Sequence, residues 1–133
     1  MNREALDLWH RALDAWDVAR QTLTLSPDAA ASRAYYAAFY AVSALFAAEG
    51  HTFTRHSALE TAVHRDLVSK GRWGADLGAV YTRLVKLRET GDYGGGRHVT
   101  QQEASQAVET AHAILEAVRK AQPDHFRVKC ADA

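Results

Sequence analysis

Large apolar side chains recur three and four residues apart along most of this chain. Near the N-terminus they are Leu6, Trp9, Leu13 and Trp16, with Asp7, Asp14 and Asp17 turned to the opposite face. That period is the one an amphipathic α-helix needs, and it predicts a first helix from about Asn2 to Leu23. Ser26-Pro27-Asp28 then reads as an N-cap followed by proline at the first helical position, where a missing N–H costs nothing. The second helix is predicted to run to about Glu49 and to stop at Gly50 in a left-handed C-terminal cap. Tyr35, Tyr36, Phe39, Tyr40, Val42, Leu45 and Phe46 make it apolar on nearly every face, the pattern of a helix surrounded by others.

After a loop at His51 to His56, Ser57-Ala58-Leu59-Glu60 has the form of a capping box. It predicts a short third helix reaching Ser69 or Lys70, with Leu59, Val63 and Leu67 inward and Gly71 behind. Arg72-Trp73-Gly74 reads as a turn. Leu77, Val80, Tyr81, Leu84 and Leu87 then follow at helical spacing until Gly91, with Arg88 in line with Leu84 and Tyr81 and so directed to the core side. Thr100-Gln101-Gln102-Glu103 is a second capping box, opening a last helix that ends before Pro123. The expected architecture is all-α: an antiparallel up-and-down bundle of four to five helices over residues 1–122, with 123–133 as a flexible C-terminal tail.

Composition supports this class. Of 133 residues, 47% are hydrophobic with much Ala, and alternation of the strand type is nowhere sustained. Sixteen basic residues balance sixteen acidic ones, so global charge recommends neither a nucleic acid nor a membrane surface. Residues 51–98 carry eight Lys/Arg against five Asp/Glu, a local excess of +3, together with four of the seven His. This reads either as a mixed solvated surface or as a lean towards an anionic partner. Cys130 is the single cysteine, so no internal disulfide framework or Cys-based zinc cluster is available. The charged N-terminus and the lack of a long apolar run give the expectation of a cytoplasmic protein with no membrane association.

Three stretches depart from plain bundle chemistry. They are Ser32-Arg33-Ala34-Tyr35-Tyr36-Ala37-Ala38-Phe39-Tyr40-Ala41 in the second helix, Thr54-Arg55-His56-Ser57 after it, and Arg88-Glu89-Thr90-Gly91-Asp92-Tyr93-Gly94 closing the fourth. They set Arg and phenol groups where Leu would suffice, and polar groups inside a bundle need partners. On these stretches the chain resembles the HEPN family of prokaryotic helical domains, in particular its small stand-alone branch. The resemblance implies a helical bundle, commonly a homodimer, and often a partnership with a minimal nucleotidyltransferase in a toxin-antitoxin pair. Some members of that family are metal-independent ribonucleases whose signature is an Arg followed a few residues on by a His. Here the residue five positions after Arg88 is Tyr93, and the next His is His98, ten positions on.

The departure matters chemically. Metal-free RNA cleavage asks for an acid/base near neutral pKa and a cation for the phosphorane. Arg88 supplies the charge, but a tyrosine, with an unperturbed pKa of ~10, is a poor base at neutral pH. In some relatives paired with nucleotidyltransferases a Tyr just past the Arg motif is the modified residue, a role the resemblance implies for Tyr93. The candidate ligand-binding residues are therefore Arg33, Tyr36, Tyr40, His56, Arg88, Asp92 and Tyr93, with no metal and no cofactor expected. The leading expectation is a binding or interaction module with a nucleotide or RNA site. The alternative is a ribonuclease using Arg88 with His56 or His98, and a bundle whose polar cluster is purely structural stays open. Arg33, Tyr36 and Tyr40 share a helical face, and Arg33 has Asp92 or a helix-end carbonyl as a possible partner. The Gly91 to Gly96 link lacks the strand and Lys-Ser/Thr of a phosphate loop and reads as a connector. Of the tryptophans, Trp73 in its turn is the candidate for a functional surface.

Overall fold

Five α-helices form, as a computed structural model describing residues 2–127 shows: α1 (Arg3–Gln21), α2 (Pro27–Ala48), α3 (His56–Ala62), α4 (Ala75–Tyr93) and α5 (Gln101–Ala121). A π-helical stretch, Val63–Val68, continues α3. Cys130 and the rest of 128–133 lie outside the described residues.

The local signals act as their chemistry predicts. Ser26 Oγ accepts from the Ala29 amide at 3.2 Å with Pro27 behind it, and Thr100 and Glu103 form both arms of a capping box. Gly50 has φ 87°, and the amides of Gly50 and His51 donate to the carbonyls of Ala47 and Phe46, completing a glycine-terminated helix end. Asn2 caps α1 through its side-chain oxygen, and its Nδ2 donates to the Ala47 carbonyl at 2.6 Å, which ties the start of α1 to the end of α2.

The other expected capping box did not form where the sequence suggested. Arg55 is the N-cap of α3 and makes no side-chain bond, its carbonyl accepting the Leu59 amide, so Ser57 is already inside the helix. The helix begins early because His56 is drawn in to stack on Phe39 of α2, ring centroids 4.2 Å apart. Likewise α4 does not stop at Gly91 but runs on to Tyr93.

α2 lies at the centre, in contact with α1, α3, α4 and α5. Most of its alanines, among them Ala34, Ala38 and Ala41, are fully buried. Small side chains there let neighbouring helices approach closely, while Tyr35, Leu45 and Phe46 fill the gaps between them. Asn2 meets Ala47, Gly91 meets Asp28 and Arg88 meets Tyr36, so α1 and α4 both run antiparallel to α2. Trp73 is buried rather than presented to solvent, closing the turn between the π-helical stretch and α4 against the core.

Gly91 serves packing, not termination. A Cβ there would lie 2.7 Å from the backbone oxygen of Asp28, well inside contact distance. Gly91→Ala should therefore destabilise by about 1–3 kcal/mol through overpacking, although helix propensity alone favours Ala by about 1 kcal/mol. Urea unfolding decides between them, and a stabilised variant would mean that the α2–α4 approach is not tight.

Of the segment expected to be a tail, residues 123–127 are described, and they are not loose. Phe126 is completely buried against the Trp9 ring, centroids 5.1 Å apart, and Trp9 Nε1 donates to the Arg127 carbonyl at 2.8 Å. An indole buried beside the chain end needs both an apolar neighbour and an acceptor, and this segment supplies both.

Candidate functional site

The motif residues meet where α2, α4 and the start of α3 converge. Because α2 is antiparallel to α4, the face carrying Ser32, Tyr35, Tyr36 and Phe39 looks onto Arg88 and Asp92. Arg88 Nη2 donates to the Tyr36 hydroxyl at 3.1 Å and Nε to Asp92 Oδ2 at 3.1 Å, while Ser32 Oγ donates to the same carboxylate oxygen at 3.3 Å. The Arg88 side chain is 19% exposed, so the guanidinium is held at the protein's edge and not in open solvent. These bonds occupy two of its five N–H donors.

Aromatic rings surround that charge. The Arg88 guanidinium carbon lies 5.5 Å from the ring centroids of Tyr35, Tyr36 and Tyr93, within cation–π range. Burial opposes the Arg88 charge, but the Tyr36 hydroxyl, then Tyr93 and Asp92, more than offset it and raise its pKa. Tyr93 is 72% exposed and offers a free ring face and hydroxyl beside the guanidinium.

His56 enters from α3. Its Nδ1 is 2.7 Å from the Tyr35 hydroxyl, and its ring is stacked on Phe39 and edge-on to Tyr36. Burial, reinforced by the positive charge of Arg88, pushes its pKa below the ordinary 6.5, so it is neutral at neutral pH. The Tyr35 hydroxyl is pushed up to about 12, chiefly by burial, and stays protonated.

Thus Tyr36, His56, Arg88, Asp92 and Tyr93 come together. Arg33 lies on the other side of Tyr36, its guanidinium carbon 4.7 Å from that ring centroid, and does not pair with Asp92, whose cation is Arg88. Tyr40 sits further along, with Arg33, in a shallow groove against Arg11, Ala15 and Val18 of α1. His98 is held elsewhere: its Nδ1 is 2.7 Å from Asp28 Oδ2, while the Val99 amide donates to Asp28 Oδ1 at 2.7 Å. The first of these contacts, then the second, lowers the Asp28 pKa. Asp28 precedes Tyr36 by eight residues, ~12 Å along α2, and the histidine on which the charge of Arg88 acts is His56.

Ser32, Tyr35 and Phe39 belong to the site although sequence reasoning left them aside. The signal was their common spacing of three and four on one α2 face. It was hidden because every face of α2 looks apolar. Among the described residues, no group of three His, Cys, Asp or Glu side chains is disposed to hold a metal ion, and no helix is long and apolar enough to cross a membrane.

Comparison with known proteins agrees with this fold. The family model described as the HEPN domain matches residues 5–121. A UPF0332 protein of Thermotoga maritima is 37% identical over 91 residues, spanning 68% of this chain and 69% of that one. The crystal structure of TT1696 from Thermus thermophilus superimposes with a TM-score of 0.78 at 29% identity, covering 90% of this chain and 98% of that one.

Proposed function

The chain belongs to the HEPN domain family, and from that premise we propose that it is a binding module whose α2–α4 site takes a phosphorylated, base-bearing ligand, a nucleotide or a segment of RNA. The observation that carries the reading is Arg88, which is oriented by Tyr36 and Asp92 yet keeps N–H donors in hand, with an exposed tyrosine ring at its side. A guanidinium fork matches phosphate oxygens in pairs. A base stacked on an exposed aromatic contributes about 1–3 kcal/mol without demanding a particular sequence.

In this reading the protein works in the cytoplasm as a homodimer beside a nucleotidyltransferase partner in a toxin-antitoxin pair. The exposed Tyr93 hydroxyl is its acceptor for a nucleotidyl group. The support is the family membership and the accessibility of that hydroxyl.

One observation favours a second reading, a metal-independent ribonuclease: His56, neutral at neutral pH, stands beside Arg88. A single experiment addresses both. Purified protein in chelator is titrated with AMP and with single-stranded RNA, and the RNA is then checked for length. Saturable, salt-sensitive binding of either with intact RNA is the expected result. Cleavage lost in His56→Ala would favour the enzyme, and no binding of either ligand at low salt would remove the binding-module reading.

A further inference from the structure

We propose that Tyr35 acts as a positioning residue that fixes the tautomer of His56, so that Nε2–H is the hydrogen-bond donor this ring offers to an anionic oxygen of the ligand. The inference rests on reading the α2–α4 site as one that takes a phosphorylated ligand, and it specifies which atom of His56 meets the phosphate and in what form.

The geometry leaves two proton arrangements. The Tyr35 hydroxyl and His56 Nδ1 are 2.7 Å apart, so one of them donates. Both groups are neutral at neutral pH, which makes the choice one of tautomer and not of charge. If Nδ1–H donated, the Tyr35 proton would have to turn to Tyr81, whose ring packs on Tyr35 with centroids 6.2 Å apart. Tyr81 is fully buried, and its hydroxyl, which makes no well-aligned hydrogen bond, interacts with the hydroxyl of Tyr35. Its proton would then have no acceptor, the costly case for a buried donor. In the opposite arrangement Tyr81 turns its proton towards the Tyr35 oxygen and Tyr35 donates to an unprotonated Nδ1. Every hydroxyl proton then has somewhere to go. The imidazole proton is left on Nε2, which makes no hydrogen bond among the described residues.

Arg88 is the charged group that acts on His56, and Glu60 acts on Tyr35 and Tyr81. With Nε2–H added to the donors of Arg88, the site offers donors from two helices to one oxyanion. In this neutral form Nε2 has no free lone pair, so towards a ligand His56 is a hydrogen-bond donor and not a general base.

The test is long-range proton–nitrogen NMR of histidine-labelled protein without ligand, followed by AMP titration. The wild type should show Nε2 protonated and Nδ1 unprotonated, and Tyr81→Phe should keep that pattern. Tyr35→Phe should give a mixture of tautomers and about tenfold weaker AMP binding, as expected for loss of one well-placed donor to an anion. Should Tyr35→Phe not fold, His56→Gln, whose amide nitrogen takes the place of Nε2, should bind AMP more tightly than His56→Asn, whose nitrogen takes the place of Nδ1. A protonated Nδ1 in the wild type, or Asn outperforming Gln, would overturn the assignment. The NMR pattern is read without ligand, so failure of AMP to bind leaves the tautomer result standing and counts only against the phosphorylated-ligand reading.

Discussion

Phe126→Ala should lower the unfolding free energy by about 3–5 kcal/mol, the cost of emptying a fully buried aromatic site. The ring has no solvent exposure and rests on Trp9, whose own Nε1 is satisfied by the carbonyl of the next residue, Arg127. Removing the ring therefore does two things. It leaves a cavity beside α1, and it loosens the backbone that carries the acceptor for a buried indole N–H. Urea unfolding followed by circular dichroism measures the loss, and an unchanged m-value would show that stability alone has moved. A change below about 0.5 kcal/mol, the size typical of a surface substitution, would mean that the chain beyond Pro123 is dispensable to the bundle. The same substitution leaves α2 and α4 untouched at Arg88, so AMP binding below the melting transition should stay at the wild-type level.

Arg88→Ala should have the converse profile, with ligand binding lost and the fold retained. Charge-assisted hydrogen bonds contribute about 1.5–3 kcal/mol each. Losing two of them to a bound phosphate corresponds to roughly a hundredfold or greater drop in affinity. Stability should fall by no more than about 1 kcal/mol, because the Arg88–Asp92 pair is partly open to water and screened accordingly. Arg88→Lys separates charge from shape: a lysine keeps the positive charge but not the planar fork that reaches Tyr36 and Asp92 together. It should bind AMP with intermediate affinity and a similar salt dependence. Isothermal titration of all three proteins gives the comparison. Wild-type affinity in Arg88→Ala would dismiss this arginine as the phosphate ligand, and an unfolded Arg88→Ala would show that the cluster is a structural one.

Much of the helical framework was legible because its signals are local. Ser26-Pro27, Gly50 and Thr100 with Glu103 each act within a few residues of themselves, and all behave as their chemistry predicts. Where two local readings competed, packing decided. Ser57 and Glu60 had the form of a cap, but the stacking of His56 on Phe39 brought the helix start forward. Gly91 had the form of a stop, but its missing side chain is used sideways, against Asp28 of another helix. Trp73 sits in a turn, a place that suggests exposure, and is buried nonetheless.

The candidate site divides in the same way. Spacing alone put Arg88 and Asp92 four apart on one helix, and the ion pair between them is there. Spacing also put Arg33, Tyr36 and Tyr40 on one face, and only Tyr36 of these bonds to Arg88, because Arg33 and Tyr40 turn towards α1 on the far side of that face. Residue types and their period settle which segments are helical, where most of them begin and end, and that α2 is central, since these depend on backbone capping and on how many faces are apolar. The meeting of His56 with Tyr35 and Phe39, the pairing of His98 with Asp28, the bond of Arg88 to Tyr36 and the burial of Phe126 join residues far apart in the chain. Those contacts follow from how closely the alanines let α2 approach its neighbours and in which register the helices lock, and that register is a property of the packed bundle and of no single helix.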